Sequence, residues 1–218
     1  MSETEVLYDP EPRWPAFIAI IAVGGLYTAL PANLIVGPRW AFLVMVLLLV
    51  TPTVITHAMK YHSIDRILGF AVSGFVTFAL VASVILLIDA LPQHTETPTQ
   101  LLLSAGSLWL TNILVFALWY WRLDAGGPHG RDRRKFHTDG AFLFPQMTMS
   151  PAAKRDAGEE TWSPNFFDYL FVAFNTSTAF SPTDTPVLAR WAKVLGMLQS
   201  LISLTVLALL AARAVNIL

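Results

Sequence analysis

The chain reads as an all-α, polytopic membrane protein: five transmembrane helices plus one short re-entrant, pore-like helix before the last helix. Three observations predict this. Of 218 residues, 55% are apolar and only 13% charged, and the mean hydropathy is +0.56, outside the range of an ordinary soluble domain. Five uncharged stretches, 14–36, 40–59, 67–88, 101–121 and 194–212, are each about 20 residues long, the length a helix needs to cross roughly 30 Å of hydrocarbon. A sixth apolar segment, beginning near Phe166, runs out after Phe174 and is too short to span.

Composition also removes whole function classes. A formal charge of −1 offers no basic surface for nucleic acid, and the absence of cysteine excludes disulfides, thiolate metal sites and cysteine nucleophiles. His129 and His137 have no cysteine or carboxylate at ligand spacing, so no metal site is expected. No nucleophile elbow, zinc-binding His-Glu-x-x-His or phosphate-cradling glycine loop is present, so no enzyme, catalytic residue or cofactor is expected.

Residues 1–13 form an acidic tail, with Glu3, Glu5, Asp9 and Glu11 against Arg13. This is the opposite of a basic signal-peptide flank, so the first helix is read as retained. Residues 14–97 form a three-helix membrane region. Pro31 ends the first helix near Leu30, because a proline within it would free a carbonyl that lipid cannot satisfy. Pro38 opens the second helix, and Asp89 and the stretch 91–98 separate the third from the fourth. His57, Lys60, His62, Asp65 and Arg66 crowd the connection between the second and third, read as a solvated turn. Gly69 and Ser73, like Gly196 and Ser200, stand four apart and permit close helix approach.

Residues 98–218 divide into a helix over 98–123, a polar loop over 124–163, a short helix over 164–177, a filter-like stretch over 176–184 and a final helix over 185–218. The loop is rich in Gly, Pro and charge and reads as a solvated connector, with an apolar island at Phe142, Leu143, Phe144, Pro145 and Met147 that packs on the membrane region. Ser163 and Pro164 resemble an N-cap and first helical residue, and Asp168 favours the positive end of the helix that follows. After Phe174 come Asn175, Thr176, Ser177, Thr178, Ala179, Phe180, Ser181, Pro182, Thr183 and Asp184, a mostly polar run that Pro182 keeps from being helical. A short helix, a polar return and another helix from the same face make a re-entrant loop. The helix's partly negative C-terminal end then points inward beside hydroxyls, which suits a cation. The alternative is a helix lying flat among the headgroups.

This order resembles the pore module of the potassium channel superfamily: outer helix, pore helix, filter, then a proline and the inner helix. Aromatic matching sets Ser177, Thr178, Ala179, Phe180 and Ser181 on the Thr-Val-Gly-Tyr-Gly filter positions, with Pro182 and Thr183 inserted before Asp184. The likeness covers about half of the chain, 101–218, and the whole pattern is also similar to uncharacterised bacterial multi-pass proteins. It implies a homotetrameric channel in the cell membrane, passing a monovalent cation such as potassium. Ala179 and Ser181 replace the filter glycines, whose positive φ is costly with a Cβ. Hydroxyls of Thr176, Ser177, Thr178 and Ser181 are therefore expected to outweigh carbonyls. Gln199, Ser200 and Ser203 are read as pore-lining or as facing another helix, and Asn112 as their hydrogen-bond partner. The alternative function is a non-conducting scaffold or regulatory protein whose short helix only packs. With five spans, every Lys and Arg except Arg39 and Arg213 falls on the side of the long loop. That bias makes the loop cytoplasmic, whereas the channel likeness makes it external.

Overall fold

The computed structural model describes residues 11–58, 62–90, 97–134, 137–181 and 184–215. Among these the chain is helical, with no strand beyond one isolated bridge. Helix α1, Trp14–Ala29, carries Pro15 in its first turn and stops where Leu30 turns extended ahead of Pro31, the conformation a following proline imposes. A 3-10 turn over Ala32–Leu34 leads to α2, Arg39–Ala58. The connection is stitched by Arg39, which donates to the Leu30 carbonyl at 2.8 Å, and by the Val36 N–H, which donates to the Tyr27 hydroxyl at 3.1 Å. Helix α3 is His62–Ala90, so Asp65, expected in a solvated turn, lies in its first turn and is buried.

Helix α4, Pro98–Leu123, occupies the centre. Thr97 and Gln100 form a reciprocal capping box and Pro98 sits at the first position, so two orphan amides are satisfied. It packs against α1, α3 and, further on in the chain, two more helices. Its residues Val115, Phe116, Ala117 and Leu118 are all buried, as a helix covered on every side requires.

Beyond α4 come α5, Pro128–Arg131, α6, Pro145–Thr148, and α7, Pro151–Ala157, then α8, Phe166–Thr178, and α9, Arg190–Val215. The segment 124–163 is not a solvated connector. Asp124, Arg131, His137, Ala141, Phe142 and Phe144 within it are buried. The Phe142 ring touches Tyr120 of α4, Tyr169 of α8 and Trp191 of α9. The expected island therefore binds three helices together at one end.

Both expected helix starts shift. Helix α8 is capped by Asn165 rather than Ser163: its side chain accepts from the Phe167 N–H, and Asp168 accepts from the Asn165 N–H, each at 2.8 Å. The last helix begins at Arg190 rather than 185, because the preceding backbone pairs with the loop. Leu143 N–H donates to Pro186 at 2.9 Å, and Leu188 N–H to Ala141 at 2.7 Å.

Three segments, Ile64–Ala90, Thr99–Arg131 and Arg190–Ala212, are long and apolar enough to cross a membrane. Helix α1 and the apolar part of α2, Arg39–Thr53, are shorter. The outer surface carries exposed Ile21, Leu47, Leu48, Phe78, Leu103 and Leu201, suited to hydrocarbon rather than water.

Candidate functional site

Helix α8 lies between α4 and α9 and packs on both. It starts beside the Phe142 cluster, where α9 also starts. Its other end meets α9 at Gln199 and Ser200, about 14 Å along that helix at 1.5 Å per residue. By Pro186 and Leu188 the chain is back at the end it left, paired with 141–143.

A buried polar network fixes this insertion. The Gln199 amide nitrogen donates to the Ala173 carbonyl at 2.7 Å and to Ser177 Oγ at 2.8 Å, while its oxygen accepts from the Tyr120 hydroxyl at 2.6 Å. Asn112 donates to the Gln199 carbonyl at 3.1 Å and to Ser203 Oγ at 3.0 Å. Asn112, Ser177, Gln199 and Ser203 are fully buried. A carbonyl can only accept, so the Ala173 bond alone sets which way the Gln199 amide points.

The expected filter residues separate. Thr176, Ser177 and Thr178 are the last turn of α8, not an extended stretch. Thr176 and Thr178 donate to the Val172 and Phe174 carbonyls at 2.8 and 3.0 Å, and Ser177 receives Gln199. Serine and threonine hydroxyls reach back this way because a helix offers the carbonyl four residues earlier. Ala179 closes the helix, Phe180 takes a left-handed conformation with φ of 56°, and Phe180, Ser181 and Asp184 are exposed. Pro182 and Thr183 lie outside the described residues. Gln199 and Ser203 face other helices. Ser200 donates to the Thr176 carbonyl at 3.3 Å.

At the loop end, a second cluster brings together residues far apart in sequence. Fully buried Arg131 donates to Glu11 at 2.7 and 3.1 Å and to the Trp121 and Asp124 carbonyls at 2.9 and 3.0 Å, serving carbonyls that the end of α4 leaves open. Asp124 accepts from the Tyr169 hydroxyl at 2.6 Å and from the Ala141 N–H. Arg13 bonds Asp132 at 2.8 Å, and His129 sits 2.6 Å from Asp65. His129 therefore has the carboxylate neighbour that its sequence position hides. Burial pushes the His137 imidazole below its ordinary value of 6.5.

Among the described residues no group of three His, Asp or Glu could hold a metal ion. The sequence reading missed Tyr120 and Tyr169 in these networks, as well as Glu11, Arg13, Asp65, Asp124 and Arg131. Their one signal was polarity at the ends of apolar stretches.

Fold and site define a class: an all-helical chain with three helices able to cross a membrane and a half-length helix locked between two of them. Comparisons with protein-family models, curated proteins and solved structures find no match to this chain.

Proposed function

We propose that the chain is one subunit of an oligomeric, channel-like protein, multi-pass in the cell membrane. In this reading α4, α8 and α9 form a pore module, and residues 179–181 and 184 after α8 line a cation pathway. The observation that carries the proposal is the half-helix itself. It enters between two long helices, stops at Gln199 and Ser200, and turns back. Non-helical backbone at membrane depth is tolerated where protein covers it or where it lines water. The C-terminal dipole end of α8 favours a cation there. The hydroxyls of Thr176, Ser177 and Thr178 serve α8 and Gln199, so carbonyls of Ala179 and Phe180, with Ser181 and Asp184, are the better candidates for lining.

One return per chain encloses nothing, so several copies must surround an axis; the likeness noted above gives four. Exposed Val194, Met197, Leu198, Leu201 and Leu204 on α9 supply an apolar face for neighbouring subunits. A cavity of about 540 Å³ beside Phe180, Ser181, Gly196 and Ser200 opens along the same face.

The test is potassium and sodium flux in liposomes, with subunit number measured in detergent. Flux that Phe180→Ala and Ser181→Ala alter is expected, from a particle of several subunits. A monomer, or an electrically silent protein, rules the pathway out.

The second reading, a non-conducting scaffold, is favoured by one observation: the buried Gln199 network closes the inner end of α8 against α4 and α9. On that reading substitutions over 179–184 have no effect on function and Gln199 matters only for stability.

A further inference from the structure

A cavity of about 380 Å³ opens at the loop end of the bundle, between α1, α3, the end of α4 and the turn that follows it. This is within the size of ligand pockets, about 300–1,000 Å³. Its wall carries Arg13, Arg66, Arg122, Arg133 and Arg134, with Asp65 the lone carboxylate among the described lining residues. Asp132 and Asp139 pair with Arg13 and Arg134 from outside the wall. Counting the five arginines against these three acids leaves an excess of two positive charges, none of which can be shed by deprotonation.

Arg122 is the most informative member. Its guanidinium lies over the Trp121 ring, Cζ 5.3 Å from the centroid, and its Nε is buried with no hydrogen-bond partner among the described residues. Gly69 of α3 makes the room: a Cβ there would stand 1.8 Å from Arg122 Nη1. The small residue at this position accommodates an arginine rather than a second helix. A buried guanidinium N–H left unmet is costly, and the two positive charges in excess add to that cost unless an anion joins them.

We propose that this cavity binds a phosphate group, carried by a lipid headgroup or free in solution. A carboxylate is satisfied by one bidentate arginine, whereas a tetrahedral phosphate presents acceptor oxygens in several directions at once and suits arginines supplied by four parts of the chain. The inner wall is apolar, with Ala16, Ile20 and Phe70, and would take the glycerol and first methylenes of a lipid.

The experiment titrates the full chain in detergent with inorganic phosphate, with dihexanoyl phosphatidic acid, and with dihexanoylglycerol, followed by calorimetry. Saturable binding of inorganic phosphate as well as phosphatidic acid identifies a free-phosphate source; saturation by phosphatidic acid alone identifies a headgroup. In either case Arg122→Gln is expected to weaken binding about tenfold or more, the range for hydrogen bonds to charged groups. Gly69→Ala keeps every charge but displaces the Arg122 guanidinium, so it should weaken binding too, with helix content unchanged. Arg155→Gln, an equal loss of charge on an exposed side chain paired only loosely with Glu160, should bind as the parent does. The proposal fails if neither phosphate probe saturates, if dihexanoylglycerol binds as tightly as phosphatidic acid, or if Arg122→Gln and Gly69→Ala leave affinity unchanged.

Discussion

Gln199 shows how one side chain can hold a half-length helix in place. Its amide satisfies acceptors on α8 and a donor on α4. Leucine at this position would fill the space yet leave the Tyr120 hydroxyl and Ser177 Oγ buried without it. Tyr120 would keep Thr176 as a partner but Ser177 Oγ would lose its donor; an unmet buried group costs about 1–3 kcal/mol, so Gln199→Leu should lower the thermal midpoint in detergent and loosen α8 first. Hydrogen exchange over 166–178 checks that order. His137 gives a pH prediction of definite sign. Both of its ring nitrogens are buried without a hydrogen-bond partner among the described residues, and the ring contacts Phe144 and Trp162. The charges that act on it are those of Asp124, Arg131, Arg134 and Asp139. Its folded pKa lies below 6.5, so in the window beneath that value the unfolded chain binds more protons than the folded one. Stability is complete above about pH 6.5 and falls as the solution is acidified towards the folded pKa. His137→Phe should flatten this loss between about pH 7 and about pH 5.5, measured by thermal melts across that range.

At the scale of elements, the sequence was most legible where chemistry is local. The bounds of α4 follow from Pro98 and the charge at Arg122, and the stop of α1 follows from Pro31. Helix α8 was foreseeable from its apolar spacing, though not its cap, because Ser163, Pro164 and Asn165 offer competing starts and only Asn165 forms the reciprocal bond with Asp168. The buried pairing of 141–143 with 186–188 was hidden, since nothing within either segment names its partner. The loop cluster was hidden for the same reason: Arg131 reads as one charge among many until Glu11, 120 residues earlier, is brought beside it. The turn after α4 adds a test of its own. Gly127 has φ of 78°, and a Cβ there would lie 2.7 Å from the Arg122 carbonyl oxygen. Gly127→Ala combines left-handed strain with a backbone clash and should cost about 1–3 kcal/mol, whereas Gly106→Ala, on α4 with open space around it, should be neutral or slightly stabilising. Paired denaturation midpoints decide.

For the whole molecule the open question is how many times the chain crosses. Helix α1 has 16 residues, about 24 Å at 1.5 Å per residue, against a hydrocarbon core of about 30 Å. Alone it falls short, but the chain around it favours crossing. Arg13 is paired with Asp65 and Asp132 at the loop end, while the far end of α1 passes directly into the 3-10 turn before Arg39. The start of α1, the start of α3 and the end of α4 therefore share one end of the bundle, and 30–38 belongs to the other. If the bundle axis is the membrane normal, the two ends lie on opposite sides, and the concentration of Lys and Arg predicts a cytoplasmic loop end. The chain has no native cysteine, so single introduced thiols report cleanly. Val36→Cys and Ser150→Cys, both at exposed positions, should behave oppositely towards a membrane-impermeant maleimide in intact cells. Val36→Cys is expected to react at once and Ser150→Cys only after lysis. Reaction of both from outside would show that α1 does not cross. The reverse pattern, Ser150→Cys reacting and Val36→Cys protected, would keep the crossing but place the loop outside, the orientation of the potassium channel superfamily.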